Sequence, residues 1–304
     1  MEPLPTWSPS SAEGQPVSAE DDRAAAFIAA LERAAQRHEA AFDGGRLSWR
    51  RFGDGPPLVL LHGGHGRWLH WARNIGPLSE RHTLWVPDLP GYGESDPPRE
   101  PTFDALVGAL QHTLDALVGV GTPIGLIGFS FGGLAAAALA TRRGGVRQLA
   151  LLGAVGHGGP RRPRGELRPW REAVARGDTP ALAAVMRHNL RVHMLHEDAA
   201  ADALALRIHT DACLRTRFHS KSISRAGGLG AQLDRHPGPL LLAWGEHDVT
   251  ALPEEAARAL ATGRPRCQSL VVPGAGHWVQ YEAADTINSL LLAWLDETNG
   301  DSEG

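Results

Sequence analysis

The 304-residue chain predicts an α/β fold: a mostly parallel β-sheet with helices on both faces and one helical insertion. Three observations point there. Short apolar runs alternate with helical patterns over most of the chain, as expected of strands buried on both sides. That rhythm stops between about residues 157 and 235, a stretch rich in Arg, His and Ala with no convincing strand. The length is long for one core but ordinary for a single α/β domain carrying an insertion, so one domain is expected.

Taken in order, residues 1–19 mix Pro, Ser and Gly without an apolar period and read as a disordered extension. Residues 20–41 are Ala-rich, with Phe27, Ile28 and Leu31 at helical spacing, and predict an amphipathic helix packed on the body. A period-two strand follows at 46–52, then a Gly-Asp-Gly-Pro-Pro turn and the apolar run 58–61. Further strands are expected at 83–86, 124–128, 146–152, 240–244 and 269–272, and helices near 102–118, 131–143, 253–262 and 281–297. Pro160, Pro163, Pro169 and Pro180 cut the insertion into short helices. Its place between the strands at 146–152 and 240–244 sets it over the carboxyl ends of the strands, where ligands bind, so it reads as a lid. The boundaries are then an extension and helix over 1–41, a core over 42–156 and 236–298, a lid over 157–235 and a disordered tail over 299–304.

Composition narrows the chemistry. With 30 basic and 34 acidic residues the formal charge is −4, so no single-sign field marks a nucleic-acid or membrane binder and the partner expected is a small molecule. A homodimer is compatible with this composition. Lys221 is the only lysine, with no pocket signal around it, which sets Schiff-base chemistry aside. Cys213 and Cys267 form neither a CxxC pair nor a disulfide framework. No run approaches the roughly 20 apolar residues of a membrane helix, and the start lacks the positive-then-apolar pattern of a signal peptide, so a cytoplasmic location is expected. No cofactor and no metal is expected.

The motif that carries chemistry is Gly128-Phe129-Ser130-Phe131-Gly132-Gly133, set between an apolar strand and an Ala-rich helix. A nucleophile elbow needs this context, because its serine occupies a strained turn whose neighbours must be small. The same turn puts the Phe131 N–H at a helix N-terminus, aimed at the oxyanion that forms when Ser130 attacks. A second donor is expected from Leu60-Leu61-His62-Gly63-Gly64-His65-Gly66, with Gly64 the favoured residue. His62 and His65 have no third ligand at zinc spacing and read as loop-stabilising or pocket residues.

A serine hydroxyl needs a base, and the base needs an orienter. Of 15 histidines, His277 alone combines a late position, a preceding strand and a glycine-rich loop, Pro273-Gly274-Ala275-Gly276-His277-Trp278. The acid should fall between serine and histidine in the chain. Asp248, ending Trp244-Gly245-Glu246-His247-Asp248, is the choice and Glu246 the fallback; Asp88 precedes the serine and reads as a loop-fixing carboxylate.

With LLHGGHG, DLPGYGESD, GFSFGG, WGEHD and PGAGHW assembled, the chain resembles the α/β-hydrolase superfamily from about residue 42 to 297. The resemblance implies an eight-stranded sheet and a serine hydrolase acting through the triad Ser130, Asp248 and His277, with Gly64 and Phe131 as the oxyanion hole. Two subfamilies look closest. Arg73–Leu78 (RNIGPL) and Gly276–Glu282 (GHWVQYE) resemble carbon–carbon hydrolases that cleave ring-fission products. In those enzymes Asn precedes the nucleophile, where this chain has Phe129, and a lid arginine binds the substrate carboxylate, for which Arg207 is the candidate. GFSFGG resembles esterases and cofactor-free haloperoxidases or perhydrolases. The bond cleaved is accordingly an ester, a lactone or an activated acyl carbon–carbon bond, with a ligand-sensing protein on the same fold as the non-enzymatic alternative. Trp68, Trp71, Phe129, Phe131 and Trp278 fall in segments expected to face the pocket.

Overall fold

The structure is a computed structural model that describes residues 18–300; the extension over residues 1–17 and the last four residues of the expected tail lie outside the described residues. The chain begins α1 (Ala19–Ala34), β1 (Gln36–Phe42), β2 (Gly45–Phe52), β3 (Pro57–Leu61), α2 (Ile75–Ser79), β4 (Thr83–Pro87), α3 (Phe103–Val118), β5 (Ile124–Phe129), α4 (Phe131–Arg143) and β6 (Val146–Leu152). Five helices follow without a strand: α5 (Arg171–Ala175), α6 (Thr179–His193), α7 (Ala203–Leu214), α8 (Lys221–Arg225) and α9 (Leu229–Leu233). The core resumes with β7 (Leu240–Gly245), α10 (Pro253–Ala261), β8 (Cys267–Val272), α11 (Val279–Glu282) and α12 (Ala284–Gly300).

All eight strands form one sheet in the order β1-β2-β4-β3-β5-β6-β7-β8. β1 and β2 are antiparallel to their neighbours and every other pairing is parallel. The two-residue period of a strand divides the apolar residues between two cores. Leu58, Leu60, Ile127 and Phe129 face one side with α12 and the inner faces of α6 and α7, while Val59, Leu61 and Leu126 face the other with α3 and α4.

The helix expected over 20–41 is shorter than that. It starts at Ser18, whose hydroxyl accepts from the Asp21 N–H, with Glu20, Asp21 and Asp22 complementing the dipole of the first turn. It ends at Ala34, and residues 36–42 pair with β2 in unbroken register from Gln36 opposite Arg51 to Phe42 opposite Gly45. The hairpin signal is Asp43-Gly44, with Gly44 at φ 133°. Ladder bonds and the burial of Ala40 outweigh the helix preference of two alanines.

Pro180 also departs from its expected part as a breaker. It lies in the first turn of α6, where its missing N–H costs nothing, and Asp178 caps that helix by accepting from the Ala181 N–H at 3.0 Å. Among the described residues no helix is long and apolar enough to cross a membrane.

Candidate active site

Three sheet strands end at the same level, and each delivers one part of the site. β5 runs into Ser130, whose φ of 54° lies in the left-handed region. Besides glycines, only His65 shares that region among the described residues; such backbone costs about 1–3 kcal/mol and gathers at functional sites. The strain is held by the Ser130 N–H, which donates to Leu152 at 2.9 Å, and by its carbonyl, which accepts from Gly133 at 2.9 Å. The turn also needs its glycines. A Cβ on Gly128 would lie 2.4 Å from the Gly132 oxygen, and one on Gly132 would lie 2.3 Å from the His62 oxygen.

Past the end of β7, Asp248 is fully buried, and past β8 the loop carrying His277 reaches back over the sheet. His277 Nδ1 lies 2.8 Å from Asp248 Oδ2, and its Nε2 lies 2.9 Å from Ser130 Oγ. A carboxylate can only accept, so the imidazole proton is on Nδ1 and Nε2 accepts from the serine hydroxyl. The structure thus brings together the three side chains that the sequence singled out 147 and 29 residues apart. The second carboxylate oxygen accepts from the Thr250 N–H at 2.7 Å and its hydroxyl at 2.8 Å. Burial alone would raise the Asp248 carboxyl, but the His277 imidazole and the Thr250 bonds hold it below the usual carboxylate range.

Several supporting residues were given no role from the sequence. Thr250 is one. Gly153, at φ 52° after β6, is another: a Cβ there would lie 3.1 Å from Asp248 Oδ2 and 3.2 Å from His277 Nδ1. Glu282 is a third. Its carboxylate accepts from the N–H of Gly276 at 2.7 Å, beside His277, and from those of His196 at 2.8 Å and Glu197 at 2.6 Å in the insertion. The Trp278 N–H donates to Met194 at 2.7 Å across the same seam. Glu246, the fallback acid, is spent on the Gly274 N–H at 2.9 Å.

Above Ser130 lies a cavity of 840 Å³, whose core-side wall includes Gly64, Phe129, Phe131 and His277. Phe131 opens α4, so its N–H has no acceptor within the helix, and Gly64 faces it, with a Cβ built on Gly64 3.8 Å from the Phe131 side chain. The insertion supplies His193 and His209. Burial and the neighbouring His277 push the His193 imidazole down to about 3, and burial pushes His209 down to about 4, so both stay neutral. His62 is a loop brace: its Nε2 accepts from the Leu89 N–H at 2.9 Å.

The other expected pocket residues lie elsewhere. Trp68, Trp71 and Trp278 are fully buried in the core and off the cavity wall. Arg50 covers the Trp68 ring at 4.5 Å, and Trp278 stacks on Tyr281 at 4.2 Å while its Nε1 donates to His70. Arg207 is also off the cavity, because α7 turns His209 and Cys213 toward it and Arg207 falls on another face. The two segments resembling carbon–carbon hydrolases pack on each other: Asn74 Nδ2 donates to the Gln280 carbonyl at 2.9 Å, and Arg73 sits 3.9 Å over the Tyr281 ring. Their likeness is one of framework.

A sheet of this order, with a strained serine after its central strand and an imidazole and carboxylate on later loops, defines a hydrolase-type α/β fold. The chain belongs to the alpha/beta hydrolase family, whose model matches residues 58–290. It is 30% identical over 272 residues to a polyketide synthase of Burkholderia thailandensis, a match that takes in 84% of this chain but 12% of that much longer protein. It is 29% identical over 264 residues to 2-hydroxymuconate semialdehyde hydrolase of Pseudomonas sp. (strain CF600), covering 81% of this chain and 89% of the relative. The solved structure of naproxen esterase (carboxylesterase NP) from Bacillus subtilis superposes with a TM-score of 0.69 at 20% identity, covering 92% of this chain and all of the other (100%), a likeness of fold.

Proposed function

We propose that this chain hydrolyses an acyl bond of a small molecule, an ester or lactone first, through a covalent acyl-enzyme on Ser130. The observation that carries this is the unbroken hydrogen-bond chain from Ser130 through His277 to Asp248. Ser130 Oγ attacks the carbonyl carbon while His277 Nε2 takes the hydroxyl proton, and the imidazolium so formed faces the ionised Asp248. The N–H groups of Gly64 and Phe131 donate to the oxyanion, donors of a kind worth about 10²–10³ each in kcat. Collapse breaks the bond to the leaving group, which departs with the proton held by His277. Water then repeats the sequence on the acyl-enzyme, giving the acid and free Ser130.

In this reading residues 157–235 act as the lid over a core of 42–156 and 236–298, and the cavity has the size of small-molecule sites. Cleavage of an activated carbon–carbon bond is the second reading, favoured by the likeness to 2-hydroxymuconate semialdehyde hydrolase over most of both chains. Against it, Phe129, beside the nucleophile and on the cavity wall, offers no hydrogen bond. A panel of nitrophenyl esters, lactones and a ring-fission dienol acid, run on wild type and Ser130→Ala with fluorophosphonate labelling, separates these readings. Ester turnover and labelling that both vanish in Ser130→Ala are expected. Full activity in Ser130→Ala, with no labelling of wild type, would overturn the proposal.

A further inference from the structure

The charge on the cavity wall is distributed unevenly. Deep inside, His193 and His209 are neutral and Phe129 and Phe131 are apolar. On the insertion side the wall carries Arg161, Arg162, Arg164, Lys221 and Arg225, with Glu166 as the one carboxylate among the lining residues. Arg161 and Arg162 are half-buried and Arg164, Lys221 and Arg225 exposed; elsewhere the buried Arg143 meets Asp115 at 2.7 Å and the buried Arg50 meets Glu94 at 2.9 Å. These five cations form no such ion pair among the described residues. The guanidiniums donate to carbonyls instead: Arg161 to Ser224 at 2.9 Å, Arg162 to Glu246 at 2.8 Å and Arg164 to Gly165 at 2.9 Å.

The Arg161–Ser224 bond lies on the cavity wall and joins the strand-free segment before α5 to α8, which also carries Lys221 and Arg225. Like charges are therefore concentrated on one wall, where Glu166 is the one lining carboxylate. The crowding is felt: burial first, and then Arg225 and Arg164, hold Arg161 below its ordinary value, while Asp248 is near enough to act in the opposite sense. A group bound at Arg161 is thus within electrostatic reach of the Ser130 machinery.

We infer that this wall is a phosphate site, and that the substrate carries a phosphate dianion at the end remote from the acyl group placed at Ser130, an inference that rests on the hydrolase reading above. A carboxylate brings one charge and two oxygens, which one bidentate guanidinium satisfies. Such a ligand leaves most of the wall uncompensated. A phosphate brings close to two charges and three acceptor oxygens, matching the three guanidiniums of Arg161, Arg164 and Arg225.

Calorimetric titration with hexyl phosphate, hexanoate and hexanol, three probes with one chain length and different charge, tests this directly. Wild type is expected to bind hexyl phosphate at least about tenfold tighter than hexanoate, with the preference shrinking as salt is raised. Arg161→Gln combined with Arg225→Gln should abolish the preference, as should Arg164→Gln with Lys221→Gln in large part. Arg235→Gln, exposed and off the cavity wall, should keep it. Thermal unfolding of each variant checks that the fold survives. Hexanoate binding as tightly as hexyl phosphate, or a preference untouched by the first double variant, would sink the inference. Hydrolysis of nitrophenyl butyrate, followed in parallel on wild type and Ser130→Ala, reports on the hydrolase reading separately, so the two can fail independently.

Discussion

Two buried aspartates close strands of the same sheet, and they do different work. Asp88 follows β4 and Asp248 lies just past β7; both are fully buried, and both carboxyls are held below the usual range against the pull of burial. Asp88 accepts from the N–H groups of Trp68 at 2.8 Å and Glu94 at 2.9 Å and faces Arg50 at 3.7 Å. Asp248 faces an imidazole. A guanidinium does not release its proton at ordinary pH, so the bonds of Asp88 are static and brace the loops around residues 62–68 and 88–96. In the proposed mechanism the imidazole takes the Ser130 proton and gives it up again, so the same carboxylate there faces a charge that comes and goes. The partner, more than the acid, decides whether a buried carboxylate is a strut or part of a reaction.

The largest effect should come from Asp248→Asn, which leaves the geometry but spoils the tautomer: kcat on a nitrophenyl ester is expected to fall about 10⁴-fold, with little change in the thermal midpoint. Asp88→Ala should invert that outcome. It leaves the Trp68 and Glu94 N–H groups without their acceptor and takes from buried Arg50 one of the acids that face it, Glu94 and Glu32 remaining; each lost bond to the carboxylate costs about 1.5–3 kcal/mol, so the urea midpoint drops sharply while folded molecules keep more activity than Asp248→Asn does. Thr250→Val is smaller. It removes a hydroxyl bond to a buried carboxylate, about 1.5–3 kcal/mol, so the urea midpoint should fall while kcat on a nitrophenyl ester drops less than in Asp248→Asn.

A last effect concerns buried neutral imidazoles, which, unlike the aspartates, are stable only uncharged. His62 is pushed to about 4, His193 to about 3 and His209 to about 4, each chiefly by burial. Their folded values lie below the unfolded value of about 6.5, so the unfolded chain binds more protons between roughly pH 4 and 6.5 and stability falls as pH drops through that window. The slope is up to about 1.4 kcal/mol per pH unit for each imidazole, measurable as urea midpoints at pH 5 and 7. A flat response would mean that these rings already carry protons in the folded protein.

The serine could be found in the sequence because an elbow is local: strand, glycine, serine, glycine and helix follow one another, and each neighbour is demanded by sterics. His277 and Asp248 were legible through chain order and glycine-rich loops. What stayed hidden was set by contacts between distant segments. Nothing near residue 250 says that its hydroxyl meets Asp248, and Gly153 looks like any strand-end glycine until the imidazole behind it is seen. Trp68, Trp71 and Trp278 sit within or beside motif segments, but proximity in sequence does not fix which face of a loop is presented, and their rings turned into the core. Arg207 failed through helical phase. β1 was concealed by Ala40 and Ala41, whose helix preference masked the Asp43-Gly44 turn.

The Glu282 carboxylate fastens amides on both sides of the seam, at Gly276 and at His196 and Glu197. The insertion is therefore riveted at the edge nearest the imidazole, and swinging it outward there would pull on the loop that seats His277.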